Sequence, residues 1–184
     1  NQLVRGTIET AIAPLPADRT LRILEIGAGT GSTSSLVLPD LPADRTDYVF
    51  SDVSQLFLFN AMRKFSRYPF IRYELLDIEQ SPTSQGFVNH QFDLVLAANV
   101  LHAARDIRQA LRHVRQLLAT EGLLVMAEGI SRQRAADIMF GLLKGWWGFQ
   151  DHDLRTDHPL LSPGQWCSVL KEEGFTEAAT IPGV

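Results

Sequence analysis

The sequence predicts a single α/β domain, an open and mostly parallel sheet with helices on both faces. Short apolar runs alternate with stretches of helical periodicity along the chain. The first of these runs opens directly into a glycine-rich turn and then a helix. With 45% apolar and 21% charged residues, the 184 residues hold enough apolar mass to bury one sizeable core.

Strands are predicted at 21–26 (LRILEI), 47–52 (DYVFSD), 70–77 (FIRYELLD), 92–99 (FDLVLAAN), 122–128 (GLLVMAE) and near 175–181. Helices are predicted at 32–38, 54–66, 104–118, 132–144 and 162–173. The helix over 104–118 is the best defined, with Ile107, Ala110, Leu111, Val114, Leu117 and Leu118 on one face and Arg105, Arg108, Arg112 and Arg115 on the other. Ser162-Pro163 reads as an N-cap followed by a first-turn proline, and Gly174 sits where a glycine would end that last helix. Segments 81–91 and 145–161 read as loops, without the length or low complexity of an interdomain linker.

Seventeen Lys and Arg against 21 Asp and Glu leave a net charge of −4, so no bulk basic field is present to hold nucleic acid or anionic lipid. A small molecule or another protein is the expected partner. No window approaches the roughly 18 consecutive apolar residues of a membrane span, and the first residues lack a signal pattern. The single cysteine, Cys167, favours a reducing compartment, read as the cytoplasm. The chain begins within a helical pattern and stops at IPGV, as a piece of a longer polypeptide would.

The turn Gly27-Ala28-Gly29-Thr30-Gly31 lies where an open α/β sheet places a nucleotide-like ligand, since glycines let the backbone approach it closely. A dinucleotide fingerprint wants a sixth-position glycine, and here that position is Ser32. The G-x-G-x-G spacing suits a ligand with a ribose and an amino-acid tail. Asp52 closes the second strand, placed either to accept ribose hydroxyls or to cap the next helix, and Asp77-Ile78 closes the third. Together these strand ends outline one crevice.

With EIGAGTG (25–31), SDVS (51–54) and LLDIE (75–79) in place, the chain resembles class I S-adenosylmethionine-dependent methyltransferases. The resemblance implies a Rossmann-like methyltransferase core over residues 1–184, excised from a larger multienzyme, with S-adenosyl-L-methionine as cofactor and S-adenosyl-L-homocysteine as product. It assigns the methionine half to Glu25 and to Gly27, Gly29 and Gly31, the ribose to Asp52, and the adenine to Asp77 and Ile78. A narrower likeness covers roughly residues 20–180: ANVLH (98–102), GLLVMAEG (122–129) and the double tryptophan before an arginine in 145–161 are similar to the C-methyltransferase domains of polyketide synthases. Two departures stand out. ATEG (119–122) replaces the family's Pro-Gly-Gly turn, and the N-terminal lid and closing strands that the family leads one to expect are missing or incomplete.

Carbon methylation beside a carbonyl needs a base for the α-proton and in-line placement of an already activated methyl. His102 lies just past the fourth strand, and Glu128 ends the fifth at the same edge. Adjacent parallel strands stand about 4.8 Å apart, which puts the acid within reach of the imidazole. The resemblance implies that this pair removes the α-proton of a β-ketoacyl thioester borne by an acyl carrier protein, among neighbouring synthase domains.

The remaining residues stay open between roles. Asn99 either orients cofactor or substrate or satisfies backbone at a strand end. Trp146 and Trp147 either wall an acyl pocket or fill core, and Arg155 pairs with a substrate phosphopantetheine or, more simply, with Asp153 or Asp157. His90 and His113 read as surface residues. The arginine stripe reads as a solvated face, with carrier-protein docking as the sharper alternative. Asp151, His152, Asp153, Asp157 and His158 are too irregularly spaced on their loop to predict a metal. Competing readings are an O- or N-methyltransferase of a small metabolite, a non-catalytic docking domain, and, opposed by Ser32, a nicotinamide enzyme.

Overall fold

A computed structural model of the chain describes residues 2–12, 18–143 and 145–181. Its elements in order are α1 (Gln2–Ile12), β1 (Leu21–Ile26), α2 (Ser32–Val37), β2 (Thr46–Asp52), α3 (Gln55–Lys64), β3 (Ile71–Leu75), β4 (Phe92–Ala98), α4 (Ile107–Leu117), β5 (Leu118–Ala127), α5 (Arg134–Phe140) and α6 (Pro163–Glu172). The five strands form one sheet in the order β3-β2-β1-β4-β5, with every neighbouring pair parallel. The chain steps outward from β1 to β3, then crosses back to lay β4 on the other side of β1. That reversal opens a crevice at the carboxyl ends of β1 and β4. No helix among the described residues is long and apolar enough to cross a membrane.

Strand alternation builds two cores. Leu24, Ile26, Val95 and Ala97 face α4 and α6, meeting Ile107, Leu111, Val114 and Val169. Ile23, Tyr48, Phe50, Leu94 and Leu96 face the opposite layer, meeting Val4 and Ile8 of α1, Val37 of α2 and Leu58 of α3. Both faces of β1 are thus covered, which is why LRILEI reads as a nearly continuous apolar run rather than an alternating one. The capping box predicted at Ser162 forms with Gln165 as its reciprocal partner.

Two departures from the predicted elements have physical causes. ATEG is not a separate turn but part of β5: Phe92 pairs with Leu118 and Leu94 with Leu123, so the residues between bulge out, with Glu121 at φ 64°. Near 175–181, the predicted strand does not form among the described residues. Phe175 packs against the core and its N–H donates to the Leu170 carbonyl, but Thr176, Glu177, Ala179, Thr180 and Ile181 are exposed and bury no face.

Glu25 is an acid on the central strand, only 2% exposed. Its Oε2 accepts from the Ser34 hydroxyl of α2 and from the Tyr48 hydroxyl of β2 at 2.6 Å. These bonds turn the carboxyl into the fold, where Glu25 braces the base of the turn. Burial pushes its pKa up to about 7, against the lowering effect of the Ser34 and Tyr48 hydrogen bonds.

A folded-state pKa above the unfolded value gives stability that is complete below pH 4.5 and lost as pH rises through about 7. Glu25→Gln keeps an acceptor and removes the titration. In urea unfolding, the variant is expected to gain on the wild type over that interval by up to about 3 kcal/mol. A pH-independent difference would contradict the assignment.

Candidate active site

The turn after β1 owes its shape to missing side chains. Gly27, Gly29 and Gly31 have φ of 57°, 53° and 70°, the left-handed region that other residues rarely adopt. A Cβ on Gly27 would lie 2.3 Å from Cγ2 of Val100, and one on Gly31 would lie 2.6 Å from the Phe65 ring. The first approach joins the glycine turn to the turn after β4. Lys64, which no sequence signal singled out, donates from Nζ to the Thr30 carbonyl at 2.9 Å and holds the turn from α3.

Asp52 ends β2 and reaches back to the same turn. Its Oδ2 accepts the Gly29 N–H at 2.9 Å and its Oδ1 accepts the Ser54 N–H at 2.9 Å. A carboxylate offers about four acceptor positions, so these two bonds leave capacity for a pair of hydroxyls. Asp77 lies beyond the end of β3 rather than within it. Its Oδ1 accepts the Glu79 N–H at 2.9 Å, while the Gln85 amide clasps its backbone N–H and C=O at 2.8 and 2.9 Å. Ile78 is buried in the core, leaving Asp77 as the partly exposed group of the pair.

His113 is not a surface residue. It is buried, and its Nδ1 donates to the Ile78 carbonyl at 2.7 Å, fixing the segment that follows β3. Its position, three residues after Ala110 and four before Leu117, places it on the buried flank of α4, and that periodicity was the available signal. His90 is exposed, as predicted.

The structure brings His102 and Glu128 together. His102 Nδ1 donates to Glu128 Oε2 at 2.5 Å, and Glu128 Oε1 accepts the N–H groups of Leu101 at 2.8 Å and Val100 at 3.1 Å. One carboxylate therefore fixes both the ring and the turn that bears it. Because a carboxylate only accepts, the neutral imidazole carries its proton on Nδ1 and keeps a lone pair on Nε2. Asn99, at φ 54° and exposed, starts this turn, and its N–H donates to the Ala127 carbonyl at 2.8 Å.

The 145–161 segment packs onto the same turn. The Trp146 ring meets His102 edge-on with centroids 5.6 Å apart and stacks on Phe140 at 5.4 Å. Its buried Nε1–H finds no acceptor among the described residues. Trp147 is 48% exposed and donates from Nε1 to the Gly141 carbonyl at 3.0 Å, so neither tryptophan is plain core.

Arg155 corrects its predicted role. Its side chain is 0% exposed, its Nε donates to Asp151 at 2.6 Å, and its remaining nitrogens donate to the carbonyls of His102, Ala104 and Arg105. Its partner is neither Asp153, which meets Arg108, nor Asp157, which meets Arg132. A single turn of backbone, with the Arg155 N–H on the Asp151 carbonyl, sets the true pair four residues apart.

The arginine stripe of α4 is cross-linked rather than merely solvated. Arg108 meets Asp153 at 3.0 Å and Glu172 at 3.5 Å, Arg112 meets Glu173 at 3.1 Å, and Arg105 lies 3.8 Å from Glu79. The other charged groups of the 151–158 loop also have separate partners, Asp157 on Arg132 and His158 on Asp137.

Comparison with known proteins agrees with this geometry. A family described as a methyltransferase domain matches residues 24–124. Polyketide synthase ThaG of Burkholderia thailandensis is 41% identical over 184 residues, covering 97% of this chain and 3% of that protein. The crystal structure of the CurJ carbon methyltransferase superposes with a TM-score of 0.97 at 50% identity, covering 99% of this chain and 48% of that one. The trans-methyltransferase CalH, solved in complex with SAH, gives a TM-score of 0.79 at 41% identity over 85% of this chain and 45% of that one. The chain thus spans under half of these solved relatives and a small part of the synthase. With the matched family running from the middle of β1 into β5, through both the glycine turn and the His102 turn, the chain belongs to the methyltransferase domain family.

Proposed function

We propose that this chain catalyses methylation of the α-carbon of a β-ketoacyl thioester, presented by an acyl carrier protein within a polyketide synthase, with S-adenosylmethionine as the methyl donor. The observation that carries the reading is the 2.5 Å His102–Glu128 pair on the turn that touches Gly27 through Val100. The carbon methyltransferase and synthase relatives support it, and the SAH complex of CalH supports the cofactor. A cytoplasmic setting fits Cys167, which is a free thiol.

The residues present suit the cofactor. The left-handed backbone of Gly27, Gly29 and Gly31 makes a turn that side chains rarely adopt, and Asp52 retains acceptor capacity for two ribose hydroxyls. Asp77 would frame the adenine, and Asn99 lines the approach. S-adenosylmethionine supplies a methyl on a sulfonium, an electrophile that needs no further activation. The protein's work is therefore to remove a proton and to hold two carbons in line.

His102 Nε2 takes the α-proton, and the C–H electron pair becomes the enolate. The imidazolium that results is stabilised by Glu128, whose Oε1 accepts the Val100 and Leu101 N–H groups. The enolate carbon would then be the nucleophile for the methyl that S-adenosylmethionine would supply when bound in the glycine turn. Trp146, edge-on to the imidazole, walls the acyl side.

Deuterium wash-in at the α-carbon tests the base. In the full-length protein, His102→Gln is expected to slow exchange by about 10²-fold or more while retaining S-adenosylhomocysteine binding. Exchange at the wild-type rate would remove His102 from the mechanism, and a product methylated on oxygen or nitrogen would replace the reaction class. Gly27→Ala is expected to act on the cofactor, because its Cβ meets Val100 and its backbone is left-handed. Calorimetric titration should show at least a tenfold loss of S-adenosylhomocysteine affinity, with strain of about 1–3 kcal/mol.

A further inference from the structure

We infer that the Arg155–Asp151 ion pair is a positioning device for the base, setting the height and aim of the His102 turn; this rests on His102 acting as proposed above. The turn from Val100 to Ile107 has no regular structure beyond a short 3-10 segment at Leu101–Ala103, so its backbone groups need outside partners. One set is bound by Glu128 from the end of β5. A second is bound from the 149–155 segment, and the Arg105 N–H is taken by the Glu79 carboxylate. Arg155 Nη1 donates to the carbonyl of His102 itself at 2.7 Å, and Nη2 donates to the carbonyls of Ala104 at 2.7 Å and Arg105 at 3.0 Å. Asp151 Oδ2 accepts the Ile107 N–H at 3.0 Å, and the Gln150 N–H donates to the Arg105 carbonyl at 2.7 Å.

The planar guanidinium suits this task and an ammonium does not. Arg155 reaches four acceptors in one plane, with Nε on Asp151 and the Phe149 ring centroid 5.0 Å from its central carbon. Its side chain is 0% exposed, so no water replaces a lost bond. The residue on which this fork closes bears the base, and Trp146, nine residues upstream of Arg155, meets the ring of the same residue. Glu128 fixes the ring by Nδ1, Trp146 bounds its face, and Arg155 anchors its backbone. A shift of the turn by about 1 Å moves Nε2 off the α-proton without touching the glycine cradle, and misplacement on that scale costs on the order of 10²-fold in rate.

The test compares Arg155→Lys with the paired variant Asp151→Asn and Arg155→Gln in the full-length protein. The paired variant removes both charges together, leaving neither buried alone, and covers failure of Arg155→Lys to fold. Each is assayed for S-adenosylhomocysteine affinity, KM for the acyl substrate, kcat, and α-proton exchange, with kcat normalised to the cofactor-binding fraction. The expected result is affinity and KM within about twofold of wild type and at least a tenfold fall in both kcat and exchange. Partial recovery is expected when a small guanidinium salt is added to Arg155→Ala. Wild-type kcat per binding-competent molecule, with only a lower melting temperature, would make the pair structural and overturn the proposal. His102→Gln measured alongside separates the two readings. If it exchanges at the wild-type rate, the base assignment fails and takes this inference with it; if it is inactive while both Arg155 variants keep wild-type exchange, the positioning role alone fails.

Discussion

Parallel strands finish on the same side of a sheet, and that constraint governs what this molecule is able to do. Because β1 lies between β2 and β4, and β4 lies against β5, the glycine turn, Asp52, the His102 turn and Glu128 arrive at one edge. The closest meeting is between Gly27 and Val100, where the space for a Cβ is already filled. A side chain at position 27 would drive apart the turn after β1 and the turn that bears His102. Glycine there joins the two turns as well as shaping one of them.

The fold was legible because burial on both faces leaves a pattern in composition. The runs at 21–26 and 92–99 predict strands, and the structure places both inside the sheet, each with a neighbour on either side. The His102–Glu128 meeting was legible for a geometric reason, as two residues ending adjacent parallel strands must lie near each other. The partners of Glu25 were not legible, because its place beside the glycine motif hides its direction: strand alternation aims it at the face carrying Ser34 and Tyr48. His113 was misread although its helical position was favourable, because a polar side chain on the flank of an apolar face has no visible partner until the Ile78 carbonyl is placed. Arg155 was misread because its acceptors are backbone carbonyls some fifty residues away, and no side-chain pattern encodes those.

The charges follow the same division. A stripe of arginines reads from sequence as an open cationic face, yet acids from the 151–157 loop and from the end of α6 reach back to it. These are exposed pairs and each contributes little to stability. They tie the 151–157 loop and α6 to α4 without producing a strong field toward an acidic partner. The buried Arg155–Asp151 pair differs in kind, since its groups meet carbonyls and an N–H that have no other means of being satisfied.

The chemistry explains why so many polar groups converge on one turn. When the electrophile is activated before it binds, there is little left for a Lewis acid or a covalent intermediate to achieve, and the rate depends on where a single nitrogen stands. An imidazole on a loop is a poor instrument for that, because its backbone is free to drift. In this chain the loop is held from three directions, by a carboxylate that closes the neighbouring strand, by the Glu79 carboxylate on the Arg105 N–H, and by a guanidinium from a segment that itself has neither helix nor strand. That segment holds its shape through bonds to the turn it positions, so the two are ordered together. The double tryptophan and the arginine that mark it in the sequence are then one feature, with the Trp146 ring against the imidazole, Trp147 against Trp146, and the Arg155 guanidinium on the backbone of the same turn.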